Sequence, residues 1–420
     1  SWDGPSGSYP GKTAATDQAI IKGQSTLDIL DLTDFIQPIS AELDTMNLRI
    51  EVSPLSTLDM TSVDVSNGAI MTIRSPVNFD FLQVFQPGQL QLEDAITIQT
   101  SGTFSGDIGF TGTSEVTVNQ DLFLEDNFIF AGNAIKLLPS SKLSIDTAIM
   151  NHPLAIIDAS DLTSEVDIAV AFTVSEGSIF ASIDNSGVLN IETSIGNGMF
   201  DLTSRTGSIV TVTSTGSPVL LDFSSYSIAS LQVDCAAGNI DFAGAIVNAA
   251  NAKISGQPAC DVQADFNLNN PAAVLEIEDS TLIIPGPAIQ IIEGDVTLTG
   301  TAQLHIPVAT WQLQGGSVTL KDSSSFGGTP VFELEDSGIL NLLTDQSLSV
   351  ELHSSVKTGT LLVDNPNIVV DISGTLLNSD DVSMQFTFCS SVGISNPLSI
   401  TSSLVIDCPV LFDGPVQISD

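Results

Sequence analysis

A short motif returns in this chain at nearly constant spacing, and it narrows the possible folds more than any other feature. GDVTL at 294–298 is followed by GSVTL at 316–320, GILNL at 338–342 and GTLLV at 359–363, so the glycines recur at nearly even intervals. Two places after each glycine stand Val296, Val318, Leu340 and Leu361; four places after it stand Leu298, Leu320, Leu342 and Val363. The residue between them is polar in three of the four copies, which is the alternation of a half-buried strand. A strand that recurs at this period specifies a solenoid.

Further strands sit inside each repeat. TAQLHIPV at 301–308 places Leu304, Ile306 and Val308 on one face, and Leu348, Val350 and Leu352, then Ile368, Val370 and Ile372, repeat that arrangement. AIQI at 288–291, TWQL at 310–313 and VFEL at 331–334 precede the glycines at the same period. Three short strands per repeat make a triangular coil, and the sequence predicts a right-handed parallel β-helix. Coils of roughly 20–22 residues give about 20 of them, a rod on the order of 95 Å long at roughly 4.8 Å per coil. A left-handed hexapeptide helix needs about 18 residues per coil. A leucine-rich repeat needs a signature that the chain lacks. Tandem β-sandwich domains are the serious alternative, but they do not impose a sustained register of this period.

The predicted organisation is an extended Gly/Pro/Ser-rich arm over 1–16, then a continuous β-helix over 17–420, most regular at 285–375. GVLNI at 187–191 and GSIVT at 207–211 show the same texture in the less regular forward half. No apolar run is long enough for a transmembrane helix, which needs about 18 residues or more. The start at Ser1 reads as a processed or trimmed terminus. The C-terminal segment alternates almost to its last residue and shows no polar cap. That open end and a held N-terminal arm both suggest completion by another molecule, with Trp2 and Tyr9 as apolar anchors of a head-to-tail joint.

Charge excludes whole classes of partner. Fifty acidic residues against ten basic ones give a formal net charge of −40. Those carboxylates must face outward, because an unpaired buried carboxylate is prohibitive. Such a surface repels nucleic acid and anionic membranes and resists side-to-side aggregation. It also attracts divalent cations weakly, so non-specific Ca²⁺ binding is expected and no specific cofactor is. Asp28, Asp31 and Asp34 lack the glycine turn and terminal Glu of a calcium loop.

Four cysteines fall into two local pairs, Cys235 with Cys260 and Cys389 with Cys408. Each gap approximates one coil, and stacked residues at roughly 5 Å suit a disulfide. This pairing is one of three connectivities, and free buried thiols are the other reading. Bridges imply an oxidising, extracellular compartment. None of the asparagines begins an N-x-S/T sequon, as expected if N-linked glycans would obstruct lateral packing.

Chemistry is sparse. His152, His305 and His353 are scattered, and no nucleophile elbow, P-loop or H-E-x-x-H motif is present. Pectin-cleaving β-helices need clustered Asp with Arg and Lys for uronate carboxylates. Here the only Asp-Asp pair is Asp380–Asp381, and Arg49, Arg74 and Arg205 each lack a nearby Lys. Ice binding would need a sustained T-x-T ladder. Thr297–Thr299 and Thr211–Thr213 match it, but the coils between do not.

The opening residues Trp2-Asp-Gly4, Pro10-Gly11 and Asp17-Gln-Ala19-Ile-Ile21 resemble the start of large secreted β-helix proteins. There a Trp-Gly segment and a Pro-Gly turn lead into a D-x-V-x-I strand. The likeness runs from Ser1 to Gly23, with the general coil texture beyond it. It implies an extracellular or cell-surface scaffold and carries over no catalytic residue. The expectation is therefore a non-enzymatic structural protein at the cell surface: a subunit of a head-to-tail filament, or an adhesin shaft. Its partners would be copies of itself, with surface glycans as a further candidate. The alternative is a polysaccharide-acting β-helix lyase or hydrolase.

Overall fold

A computed structural model describes the strands from Gln18 to Ile418, most connections between residues 58 and 372, and most side chains between Asp59 and Ile368. Among the described residues there is no helix; the chain is a parallel β-solenoid. It divides into two compact units, Ser1–Val210 and Thr211–Asp420.

In the second unit the described strands fall on three faces, of which the second is formed up to Gly327 and the third from Ile289 onward. The first face holds Ser225–Ala237, Val247–Gly256, Val274–Glu278, Asp295–Thr299, Ser317–Asp322, Gly338–Thr344 and Thr358–Asp364, each parallel to the next. The motif residues stack here as the spacing predicts. Val296 lies beside Val318, Val318 beside Leu340 and Leu340 beside Leu361. All four are fully buried, as are Leu298, Leu320, Leu342 and Val363. Each buried Val or Leu contributes about 1.5–3 kcal/mol relative to exposure. The recurring glycine has a steric cause. A Cβ on Gly294, Gly316 or Gly338 would sit 2.4, 2.4 or 2.2 Å from a carbonyl oxygen of the preceding coil.

The second face of this unit runs Val219–Phe223, Asn239–Gly244, Asp261–Gln263, Thr281–Ile283, Gln303–His305 and Ser325–Gly327. The third runs Ile289–Ile292, Thr310–Gln314, Val331–Glu335, Ser349–Leu352 and Val369–Ile372. Two sequence readings need correction. Leu304 belongs to the second face, whereas Leu352 and Val370 belong to the third, so they do not form one row. The partner of Thr310 is Ile289 rather than Ala288, so Ile292, which is buried, lies beside Leu313. Ile306 and Val308 lie outside the described residues.

The first unit follows the same plan with less uniform steps. Its main ladder places Gln18 beside Ser40, Ser40 beside Ser62 and Asp121 beside Lys142. Lys142 then pairs with Glu165 and Glu165 with Ser182, so a long coil is followed at once by a short one. The uniform coil length expected from the sequence therefore holds only for part of the chain, and dividing length by a fixed coil does not give the coil count. Two long strands, Lys142–Ala159 and Glu165–Phe180, pair through register shifts after Ile145, Met150 and Asn151. Such bulges let a continuous strand bend. The interior is aromatic here: Phe104, Phe128, Phe130 and Phe172 form a chain of contacts with ring centroids 6.3, 5.0 and 6.0 Å apart.

Polar side chains close the corners. Asn185, fully buried, donates to Ile209 O at 3.0 Å and accepts from Gly187 N at 3.1 Å. Ser141 and Ser164 both donate to Leu138 O at 2.6 Å. In the second unit Asp279, Gly300 and Asp322 occupy the same left-handed corner, at φ 54°, 63° and 55°. Asp and Gly tolerate that conformation best.

Candidate functional site

The residues singled out by sequence are dispersed. Cys235 and Cys260 form a disulfide with Cα atoms 5.8 Å apart. Cys235 lies near the end of the strand Ser225–Ala237 and Cys260 stands immediately before Asp261–Gln263, so the bridge ties the first face to the second across one coil. Cys389, Cys408, Trp2, Tyr9, His353, Asp31, Asp34, Arg74 and Asp380 lie outside the described residues. His152 is half-buried and its Nδ1 accepts from Leu154 N at 3.2 Å. His305 points outward at the end of Gln303–His305. No two described histidines converge, and among the described residues no three His, Cys, Asp or Glu side chains are placed to hold a metal ion.

The acidic residues are engaged in different ways. At the corner, Asp279 Oδ1 accepts from Thr301 N at 2.8 Å, and Asp322 Oδ2 accepts from Gly300 N at 3.2 Å. Lys142 pairs with Asp167 at 2.9 Å, and Arg205 grips both carboxylate oxygens of Asp184 through Nε, at 3.2 and 3.0 Å. Hydrogen bonding to Asp167 raises the Lys142 pKa, and Asp184 does the same for Arg205. On the second face, burial and then the charge of Asp222 push the Asp241 carboxyl upward; burial alone does so at Asp265. The Tyr226 hydroxyl is pushed up by desolvation and donates to Leu221 O at 2.7 Å.

Among the described residues, hollows on the outer faces include one in each unit. In the first unit a depression of about 260 Å³ is lined by Leu162, Thr163, Glu165, Ser182, Asp184 and Asp201, among others. Leu162 is 62% exposed at its lip. Its polar groups are largely committed: Asp184 to Arg205, Thr163 to Ser140 N, and Ser182 to Asp201 N. In the second unit a depression of about 160 Å³ lies on the first face, lined by Ser230, Gln232, Asn251, Lys253, Val274 and Glu276 over Leu231 and Ala252. Three adjacent coils build it. Ser230, Asn251 and Val274 form one row, Gln232, Lys253 and Glu276 the next, and Leu231, Ala252 and Leu275 the row beneath.

Sequence reasoning did not find this second hollow. Its signal, the short Ser230 and Val274 on either side of Asn251 in an outward row, shows only once coils of different length are aligned. No family model, no curated protein and no solved structure matches the chain.

Proposed function

We propose that the protein is an extracellular structural subunit, a solenoid that forms a cell-surface filament or an adhesin shaft by joining head-to-tail with copies of itself. One observation carries this reading: on much of the outer surface the polar side chains bond the coil above or below. Asn341 donates to Thr319 at 3.1 Å, Ser317 to Asp295 at 2.6 Å, Gln312 to Glu333 at 2.8 Å and Asn190 to Thr173 at 3.2 Å. Groups spent on neighbouring coils stiffen the stack and do not converge on a substrate.

Two further features support it. A disulfide persists in an oxidising compartment and is reduced in the cytosol, so the bridge favours an extracellular setting. A net charge of −40 keeps lateral faces apart. The terminal coil of any solenoid, unless covered, offers a full set of unpaired N–H and C=O groups to an identical partner. That contact is heterologous and propagates unless rotation closes a ring.

The test is light scattering of the full chain and of a variant lacking residues 1–16, over a concentration series. The full chain should grow in mass with concentration and the truncated chain should assemble less. If both remain monomers at the highest concentration, head-to-tail assembly is wrong.

A further inference from the structure

The hollow around Asn251 differs from the surface around it in what its side chains do. A few coils further along the same face, Asn341 and Ser317 bond the adjacent coil. The side chains of Gln232 and Asn251 bond no other described residue, although Lys253 and Ser230 stand directly beside them in the ladder. Lys253 turns away to Glu278, 2.9 Å distant. Two amides, the Ser230 hydroxyl and the Glu276 carboxylate therefore face a hollow with their hydrogen-bonding capacity open.

The hollow lies over the short side chains of an outward row. Ser230 and Val274 flank Asn251 there, beside the longer Gln232, Lys253 and Glu276 of the next outward row. Leu231, Ala252 and Leu275 alternate with these rows, point inward and are buried beneath the hollow, so the half-buried Val274 supplies its apolar patch.

These groups select a ligand class. Amides donate and accept, and a carboxylate accepts, so together they satisfy hydroxyl groups that do both. The Val274 patch suits the C–H face of a ring. An anion is disfavoured, because the one ammonium in the hollow is neutralised by Glu278 and Glu276 stands beside it. A volume of about 160 Å³ is below the roughly 300–1,000 Å³ of drug-sized ligand pockets and matches a single ring rather than an oligosaccharide. We infer that this hollow is a binding subsite for one neutral sugar residue of a glycan. The inference does not depend on polymerisation; a monomeric shaft would carry the same subsite.

The full-length protein should be titrated with neutral oligosaccharides of glucose, mannose and N-acetylglucosamine, and with polygalacturonate as the anionic arm. Saturation-transfer NMR and calorimetry read the binding. At least one neutral sugar should bind, and polygalacturonate should not. Asn251→Ala and Gln232→Ala should each weaken binding about tenfold, the scale of one lost hydrogen bond. Ser230→Phe, which fills the hollow from its outward row, should abolish it, while Ser317→Ala outside the hollow should leave it unchanged. Thermal unfolding of each variant checks folding. Absence of binding by every neutral sugar, binding that survives both amide substitutions, or equal binding of polygalacturonate overturns the inference.

Discussion

The stretch from residue 275 to 363 and the stretch from 142 to 204 build the same kind of coil by different means. In the first, Leu275, Val296, Val318, Leu340 and Leu361 follow one another at nearly even intervals. In the second, the ladder from Lys142 to Glu165 to Ser182 takes a long step and then a short one. The regular stretch keeps one aliphatic position per coil, and its glycines hold a backbone approach that no Cβ could enter. The irregular stretch absorbs its uneven steps in bulges, phenylalanine contacts and buried polar corners such as Asn185. Strand pairing tolerates a change of coil length provided each corner's backbone groups find partners.

That contrast can be broken at graded cost. The largest effect should come from Leu340→Asp, which places an unpaired carboxylate in the aliphatic ladder. A loss of about 4 kcal/mol or more is expected in denaturant unfolding. Reduction of Cys235–Cys260, whose partners are 25 residues apart, should cost about 3 kcal/mol, read as the difference between melts with and without reductant. Asn185→Ala should cost about 2 kcal/mol, because Ile209 O and Gly187 N lose their partner in a buried corner. Asn341→Ala, the regular stretch's more exposed counterpart, should cost only about 0.5 kcal/mol. If the two asparagines cost the same, corner polarity does not distinguish the stretches.

The smallest effect is electrostatic. Asp241 and Asp265 have carboxyl pKa values raised in the folded chain, so folding favours their protonated form. Their stabilising contribution is present below the ordinary carboxylate pKa and is lost as pH rises through the raised folded value. Stability should therefore climb as pH falls from neutral into the carboxylate range. Asp241→Asn and Asp265→Asn should each add about 0.5 kcal/mol or less at neutral pH and flatten that climb. Melting temperatures across a pH series measure it; an unchanged slope in the double variant would remove these two groups as its source.

How legible each feature is in the sequence follows from the same physics. The Val296 row is readable because strand alternation and coil period coincide in the primary sequence. The third-face row reads one place out of register because the step from Ile289 to Thr310 is one shorter than the spacing of the neighbouring motifs implies. Leu304 and Leu352 merge into one row because all faces use the same aliphatic alternation, and only hydrogen-bond partners separate them. The disulfide at Cys235 and Cys260 is readable from coil spacing. The hollow at Asn251 is not. It arises where Ser230, Asn251 and Val274 line up in an outward row, in adjacent coils whose lengths differ.

Electron microscopy of the full-length protein at rising concentration tests the structural reading most directly. Filaments should lengthen with concentration, and their axial diffraction should show layers at about 4.8 Å, the spacing of stacked strands. Discrete, unjoined particles at every concentration, with no axial layering, would contradict it.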